Sequence, residues 1–116
     1  MQLVGVRAVM AFVTAPLEAA AWWSSLTQVP VHQAGEFAWL ELPGGTELGF
    51  HPADDDLNPL TGNPVVYWAV PDLDAARATL LTAGAVHRRG PLEIAQGRRI
   101  CQLKDPFGVV VGLDGP

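Results

Sequence analysis

Residues 40–50 read Leu-Glu-Leu-Pro-Gly-Gly-Thr-Glu-Leu-Gly-Phe, and residues 103–113 read Leu-Lys-Asp-Pro-Phe-Gly-Val-Val-Val-Gly-Leu. Leu40, Pro43, Gly45 and Gly49 recur at a constant shift of 63 as Leu103, Pro106, Gly108 and Gly112. In each stretch an apolar run meets a turn rich in Pro and Gly and then resumes, which is the pattern of two strands joined by a tight turn. The match extends upstream in the same order. Val31-His32 and Gly35 recur 55 residues later as Val86-His87 and Gly90, Leu17–Ala20 recurs 56 later as Leu73–Ala76, and Val13 pairs with Val70 at 57. A single match of such common residues means little, but their collinear order points to an internal duplication. The shift grows once, by eight residues, around Pro91–Arg98.

Each half carries the same elements. Leu3–Val13 and Val65–Val70 are apolar runs of strand character. A helix follows each: Pro16 sits in the first turn of one that runs through Trp22 and Trp23 to Thr27, and Asp72 is the N-cap of one over Leu73–Thr82, closed by Gly84. Three strands come next, near Val31–Gln33, Glu36–Leu42 and Thr46–His51 in the first half and Val86–Arg89, Arg99–Leu103 and Val109–Leu113 in the second. The predicted fold is α+β, with two βαβββ units in one domain spanning 1–116: module 2–51, linker 52–64 and module 65–114.

Composition agrees. The chain of 116 residues contains 12 Gly and 10 Pro, about one residue in five where ordinary usage is about one in eight, so many short elements are expected. With 49% hydrophobic residues it can build a core, and with a net charge of −5 and no basic patch it is not expected to bind nucleic acid. The lone Cys101 excludes an internal disulfide and suits a reducing compartment. No apolar run is long enough to span a membrane; Ala8–Thr14 reads as a buried strand rather than a signal-peptide core, and the expected location is cytoplasmic.

The repeated βαβββ unit, the helix start Val70-Pro71-Asp72-Leu73-Asp74-Ala75-Ala76 and the ending Lys104–Leu113 resemble the vicinal oxygen chelate superfamily of lactoylglutathione lyases, extradiol dioxygenases and bleomycin-resistance proteins. The resemblance covers nearly the whole chain and implies two modules whose curved mixed sheets form a cleft, usually within a homodimer. It specifies a fold and not an activity. Metal-dependent members take His, Gln or Glu ligands from the first and last strand of each module. Carried onto this sequence, those positions are Ala8, Gly49, Val65 and Gly112, none of which has a donor side chain. No protein metal site is therefore expected, and no cofactor.

Period-two alternation sorts the strand residues into faces. Val13, Ala38, Leu40, Phe50, Leu103 and Leu113 share an apolar face suited to packing under the helices. The opposite face, which holds the emptied ligand positions, carries Met10, Phe12, Phe37, Trp39, Glu47, His51, Tyr67 and Asp114. Large rings with a few polar groups are what small-molecule sites are made of. The expectation is a metal-free protein that holds a partly aromatic or cationic ligand in an acidic cleft, with Trp39, Tyr67, Phe12 and Phe37 enclosing it and Glu47, His51 and Asp114 orienting it or balancing its charge. The alternatives are a metal-dependent lyase, isomerase or dioxygenase using Glu47 and His51 with a divalent ion, a metal-free enzyme with one of these two as general base, and a partner module without a ligand. His32 and His87 read as surface histidines, Cys101 as a small core residue, and Asp54-Asp55-Asp56 as a solvated run.

Overall fold

The computed structural model describes residues 2, 6, 8–55 and 65–116. Residues 3–5 and 7 of the expected first strand, and most of the expected linker with Asp56, lie outside the described residues. The elements are β1 (Ala8–Val13), α1 (Pro16–Thr27), β2 (Val31–Ala34), β3 (Phe37–Glu41) and β4 (Glu47–Pro52), then β5 (Val66–Ala69), α2 (Leu73–Thr82), β6 (Val86–Ala95), β7 (Arg98–Lys104) and β8 (Val110–Gly115). One sheet has the order β1-β4-β3-β2 and the other β5-β8-β7-β6. In both, the first strand runs parallel to the last while the remaining neighbours are antiparallel. The chain divides into two compact units, Met1–Asn63 and Pro64–Pro116.

The sequence repeat has a counterpart at atomic level in the turns that open β4 and β8. Leu42 N–H donates to the Thr46 carbonyl at 2.9 Å and Gly45 N–H to that of Leu42 at 3.0 Å. Sixty-three residues on, Asp105 N–H donates to Val109 at 2.8 Å and Gly108 N–H to Asp105 at 3.2 Å. The two turns are stabilised differently. The first places Gly44 and Gly45 at φ 96° and 92°, a region that side chains avoid. The second needs only Gly108 at φ 89°, and adds the Asp105 carboxylate, 4% exposed, which accepts from Phe107 N–H and Val109 N–H, both at 2.9 Å.

Two boundaries differ from expectation. β4 continues one residue past the expected end at His51, through Pro52, held by Ala53 N–H donating to the Val13 carbonyl at 2.9 Å. β6 has 10 residues instead of ending at Arg89, and the eight-residue insertion around Pro91–Arg98 lengthens the β6–β7 hairpin. Gly90-Pro91 reads as a breaker, yet β6 is an edge strand, where the N–H that proline lacks is not needed on the solvent side.

Each sheet buries one face under its helix. In the first unit Ala11, Val13, Ala38, Leu40, Leu48 and Phe50 are buried with Ala19, Ala20 and Trp23 of α1; in the second, Cys101, Leu103, Val111 and Leu113 with Leu73 and Leu80 of α2. Burial of a side chain such as Phe50, 1% exposed, stabilises by about 1.5–3 kcal/mol. The helix starts follow the sequence: Pro16 opens α1, and Asp72 Oδ1 accepts from Ala75 N–H at 3.1 Å to cap α2. Among the described residues no helix is long and apolar enough to cross a membrane.

Candidate functional site

The faces turned away from the helices hold Met10, Phe12, Phe37, Trp39, Glu47 and His51 in the first sheet and Tyr67 and Asp114 in the second, and the two modules use them differently. In the first sheet the register sets Phe12 beside His51, Met10 beside Gly49, and Gly49 beside Trp39. Because Phe37 and Trp39 are two apart on β3, their rings stand on the same side and stack, with centroids 5.0 Å apart and planes at 15°. Phe37 also meets His51 at 6.1 Å, and His51 meets Phe12 edge-on at 6.3 Å. On the other side of Trp39 the imidazole of His32 stacks at 5.4 Å and 19°. The result is a run of rings across all four strands: His32, Trp39, Phe37, His51, Phe12.

His32 is a surface histidine, as its sequence context implies, and its ring also belongs to this run. The signal that locates it is the two-residue loop Gly35-Glu36, which pairs His32 with Trp39 across the β2–β3 hairpin. Met10 also lies close: a Cβ on Gly49 would stand 3.0 Å from Met10 Sδ and Cε and from Phe37 Cε2. The absent side chain at 49 thus leaves room for the protein's own Met10 and Phe37. Glu47 sits at the other end of β4, directly between Ala8 and Glu41, and His32 Nε2 is 3.9 Å from Glu41 Oε1. Two carboxylates opposite one another on a ladder repel, so this end of the face favours positive charge.

The equivalent row in the second sheet is Tyr67, Gly112 and Gln102, on β5, β8 and β7. A Cβ on Gly112 would overlap the Tyr67 ring at Cδ1, Cε1 and Cγ, so glycine is required for that ring to cross β8. The Tyr67 hydroxyl then meets Gln102, whose Nε2 donates to Tyr67 Oη at 2.6 Å, and Arg88 Nη1 donates to Gln102 Oε1 at 2.5 Å. Asp114, on the same face, is held by Arg98 through two bonds, Nε to Oδ1 at 2.7 Å and Nη2 to Oδ2 at 2.5 Å. This guanidinium draws the Asp114 carboxyl below the usual carboxylate range. The first module is thus a ring platform, and the second is a hydrogen-bonded polar face.

A divalent ion needs several N or O ligands. Ala8, Gly49, Val65 and Gly112 supply none, and at two of these positions the space beside the backbone is taken by Met10, Phe37 and Tyr67. The residues present do not fit a metal there. Among the described residues no group of three or more His, Cys, Asp or Glu converges on one point. Glu47 and His51 share a face of β4 but stand four residues, about 13 Å, apart along it.

Other singled-out residues have structural places. Trp23 is buried against the first sheet, and Trp22 meets it edge-on at 5.0 Å and 83°. Cys101 is 2% exposed, and burial pushes its thiol up from the ordinary value. His87 Nδ1 faces Arg77 Nη2 at 3.0 Å, and Asp54 and Asp55 are exposed.

The sequence profile of the glyoxalase-like domain matches residues 7–113. Several solved structures share the fold. A protein from Agrobacterium tumefaciens superposes with a TM-score of 0.79 at 16% identity over 97% of this chain and 98% of its own. A glyoxalase family protein from Bacillus cereus gives 0.71 at 20% identity, covering 98% and 95%. An antibiotic-binding protein from Streptomyces sp. CB03234 gives 0.73 at 23% identity, covering 100% and 98%. No curated protein shows significant similarity. The paired βαβββ modules have the glyoxalase/bleomycin-resistance-like fold, and with a profile match over nearly its full length the chain belongs to the glyoxalase-like domain family.

Proposed function

We propose that the chain binds a small, partly aromatic molecule, without a metal, against the ring platform of its first sheet. The observation that carries this reading is the run His32, Trp39, Phe37, His51 and Phe12 on the face away from α1. Rings carried on paired strands have little freedom left to lose when a planar ligand stacks on them, and each ring pair adds about 0.5–1.5 kcal/mol beyond area burial. Met10 lines the platform beside Gly49 and adapts to ligand shape. Glu47, with Glu41 opposite, provides the negative end, so a ligand with a basic nitrogen beside its ring fits best. Asp114 is already balanced by Arg98, which leaves this charge role to Glu47. His51 would orient a polar substituent, and a homodimer is part of the proposal. The antibiotic-binding relative supports binding as a use of this fold.

The test is a titration with planar cationic compounds such as naphthylmethylammonium, followed by tryptophan fluorescence and repeated on Trp39→Ala. Loss of one stacking ring should weaken binding by about tenfold, near 1.4 kcal/mol. Unchanged affinity in the variant overturns the stacking role. Stoichiometric nickel, zinc, iron or manganese in the purified protein overturns the metal-free part.

A further inference from the structure

We infer that the Tyr67 hydroxyl is a hydrogen-bond donor for a carboxylate group on a bound ligand, set up by Arg88 through Gln102. The inference stands on the second module alone and does not depend on the ring platform. Its basis is the direction of the hydrogen bonds. A guanidinium can only donate, so the Gln102 atom facing Arg88 Nη1 must be the carbonyl oxygen. The amide nitrogen therefore faces Tyr67 and donates to Oη. A phenol that accepts in this way keeps its own proton for another acceptor. Among the described residues the structure gives Tyr67 no hydrogen bond other than that with Gln102.

The arrangement has the features of a recognition group. The chain from Arg88 to Tyr67 begins at a positive charge and points every donor the same way, so each bond polarises the next and the terminal O–H becomes a stronger donor. The ring is positioned by Gly112, which leaves β8 bare beneath it, and Tyr67 remains 40% exposed. The local charge suits an anion. Residues 64–116 carry six Lys and Arg against five acids, whereas residues 1–63 carry one Arg against seven acids. Asp114 and Asp74 pair with Arg98 and Arg99, and Asp105 is buried in its turn, which leaves Arg77, Arg88, Arg89 and Lys104 against Asp72 and Glu93.

Benzoate and benzylammonium, of similar size and opposite charge, are titrated into the ¹⁵N-labelled full-length chain. Benzoate is expected to shift the amide resonances of Tyr67, Gln102 and Gly112, while benzylammonium leaves them in place. Tyr67→Phe keeps the ring over Gly112 and removes only the donor; it should weaken benzoate binding about tenfold, the lower end for a hydrogen bond to a charged group. Gln102→Leu keeps the hydroxyl but severs it from Arg88, and should cost severalfold. Benzoate binding that leaves these three amides unmoved, or that is unchanged in Tyr67→Phe, overturns the role of Tyr67; unchanged binding in Gln102→Leu overturns the role of the relay. The Trp39 indole resonance reports separately on the ring platform, so failure of one reading is distinguishable from failure of the other.

Discussion

The ring of Tyr67 occupies the space that a side chain at Gly112 would need. Glycine in a strand interior costs backbone entropy and contributes no packing, and here its value is that a phenol on β5 can cross β8 and reach Gln102 on β7. Gly112→Ala is therefore expected to push Tyr67 off the sheet, break its bond with Gln102, and destabilise by about 1–3 kcal/mol, the usual cost of overpacking. Thermal unfolding checks this. In the Tyr67→Ala background the same substitution should cost little, because the clash is gone.

Gly49 holds the equivalent place, yet its neighbours differ in stiffness. A Cβ there would stand 3.0 Å from the end of the Met10 side chain and from the Phe37 ring edge. Met10 can swing away, whereas the Tyr67 ring is tethered at its hydroxyl. Gly49→Ala should thus cost less than Gly112→Ala, below about 1 kcal/mol, with the loss appearing mainly as altered near-ultraviolet circular dichroism from a shifted Phe37–Trp39 stack. Equal costs at the two glycines would contradict this.

How far the sequence discloses the site follows from what duplication and parity can carry. The constant shift of 63 places Gly49 and Gly112 at equivalent register, and alternation assigns Phe37 and Trp39 to one face; both are backbone properties. Side-chain reach is a different matter. That Met10 folds over Gly49 while Tyr67 spans β8 depends on rotamers that no spacing encodes. The place of His32 is not legible in spacing alone, because its pairing with Trp39 depends on the two-residue loop Gly35-Glu36. Arg98, the partner of Asp114, lies at the end of the eight-residue insertion, well past Arg89, where the strand is expected to end.

The two hairpin turns offer a third test. The Asp105 carboxylate accepts two backbone N–H groups from a buried position, and at the matching site Leu42 has no side-chain acceptor to offer. Asp105→Ala leaves both donors without this partner and should destabilise by about 1–3 kcal/mol. Asp105→Asn retains an oxygen at the same place and should lose about half as much. Amide exchange at Phe107 and Val109 separates the two, with fast exchange expected only in the alanine variant.

The Arg98–Asp114 pair predicts a pH dependence of definite sign. Hydrogen bonding to Arg98 is the first cause of the lowered Asp114 carboxyl, with direct charge attraction assisting and desolvation opposing. A carboxyl whose folded value lies below its unfolded one, about 3.9, contributes its stability above that unfolded value. The contribution is lost as pH falls through the lower, folded value, because the folded state then takes up the proton it had resisted. Arg98→Gln should therefore destabilise near neutrality and converge with the parent in strong acid. The Asp114 carboxyl ¹³C resonance, followed by NMR, should titrate below the ordinary carboxylate range in the parent and return toward it in the variant. Because both groups are accessible to solvent, added salt should narrow the difference between the two proteins at neutral pH. A gap that stays constant through the acid range would instead mean that Arg98 acts through packing of its stem.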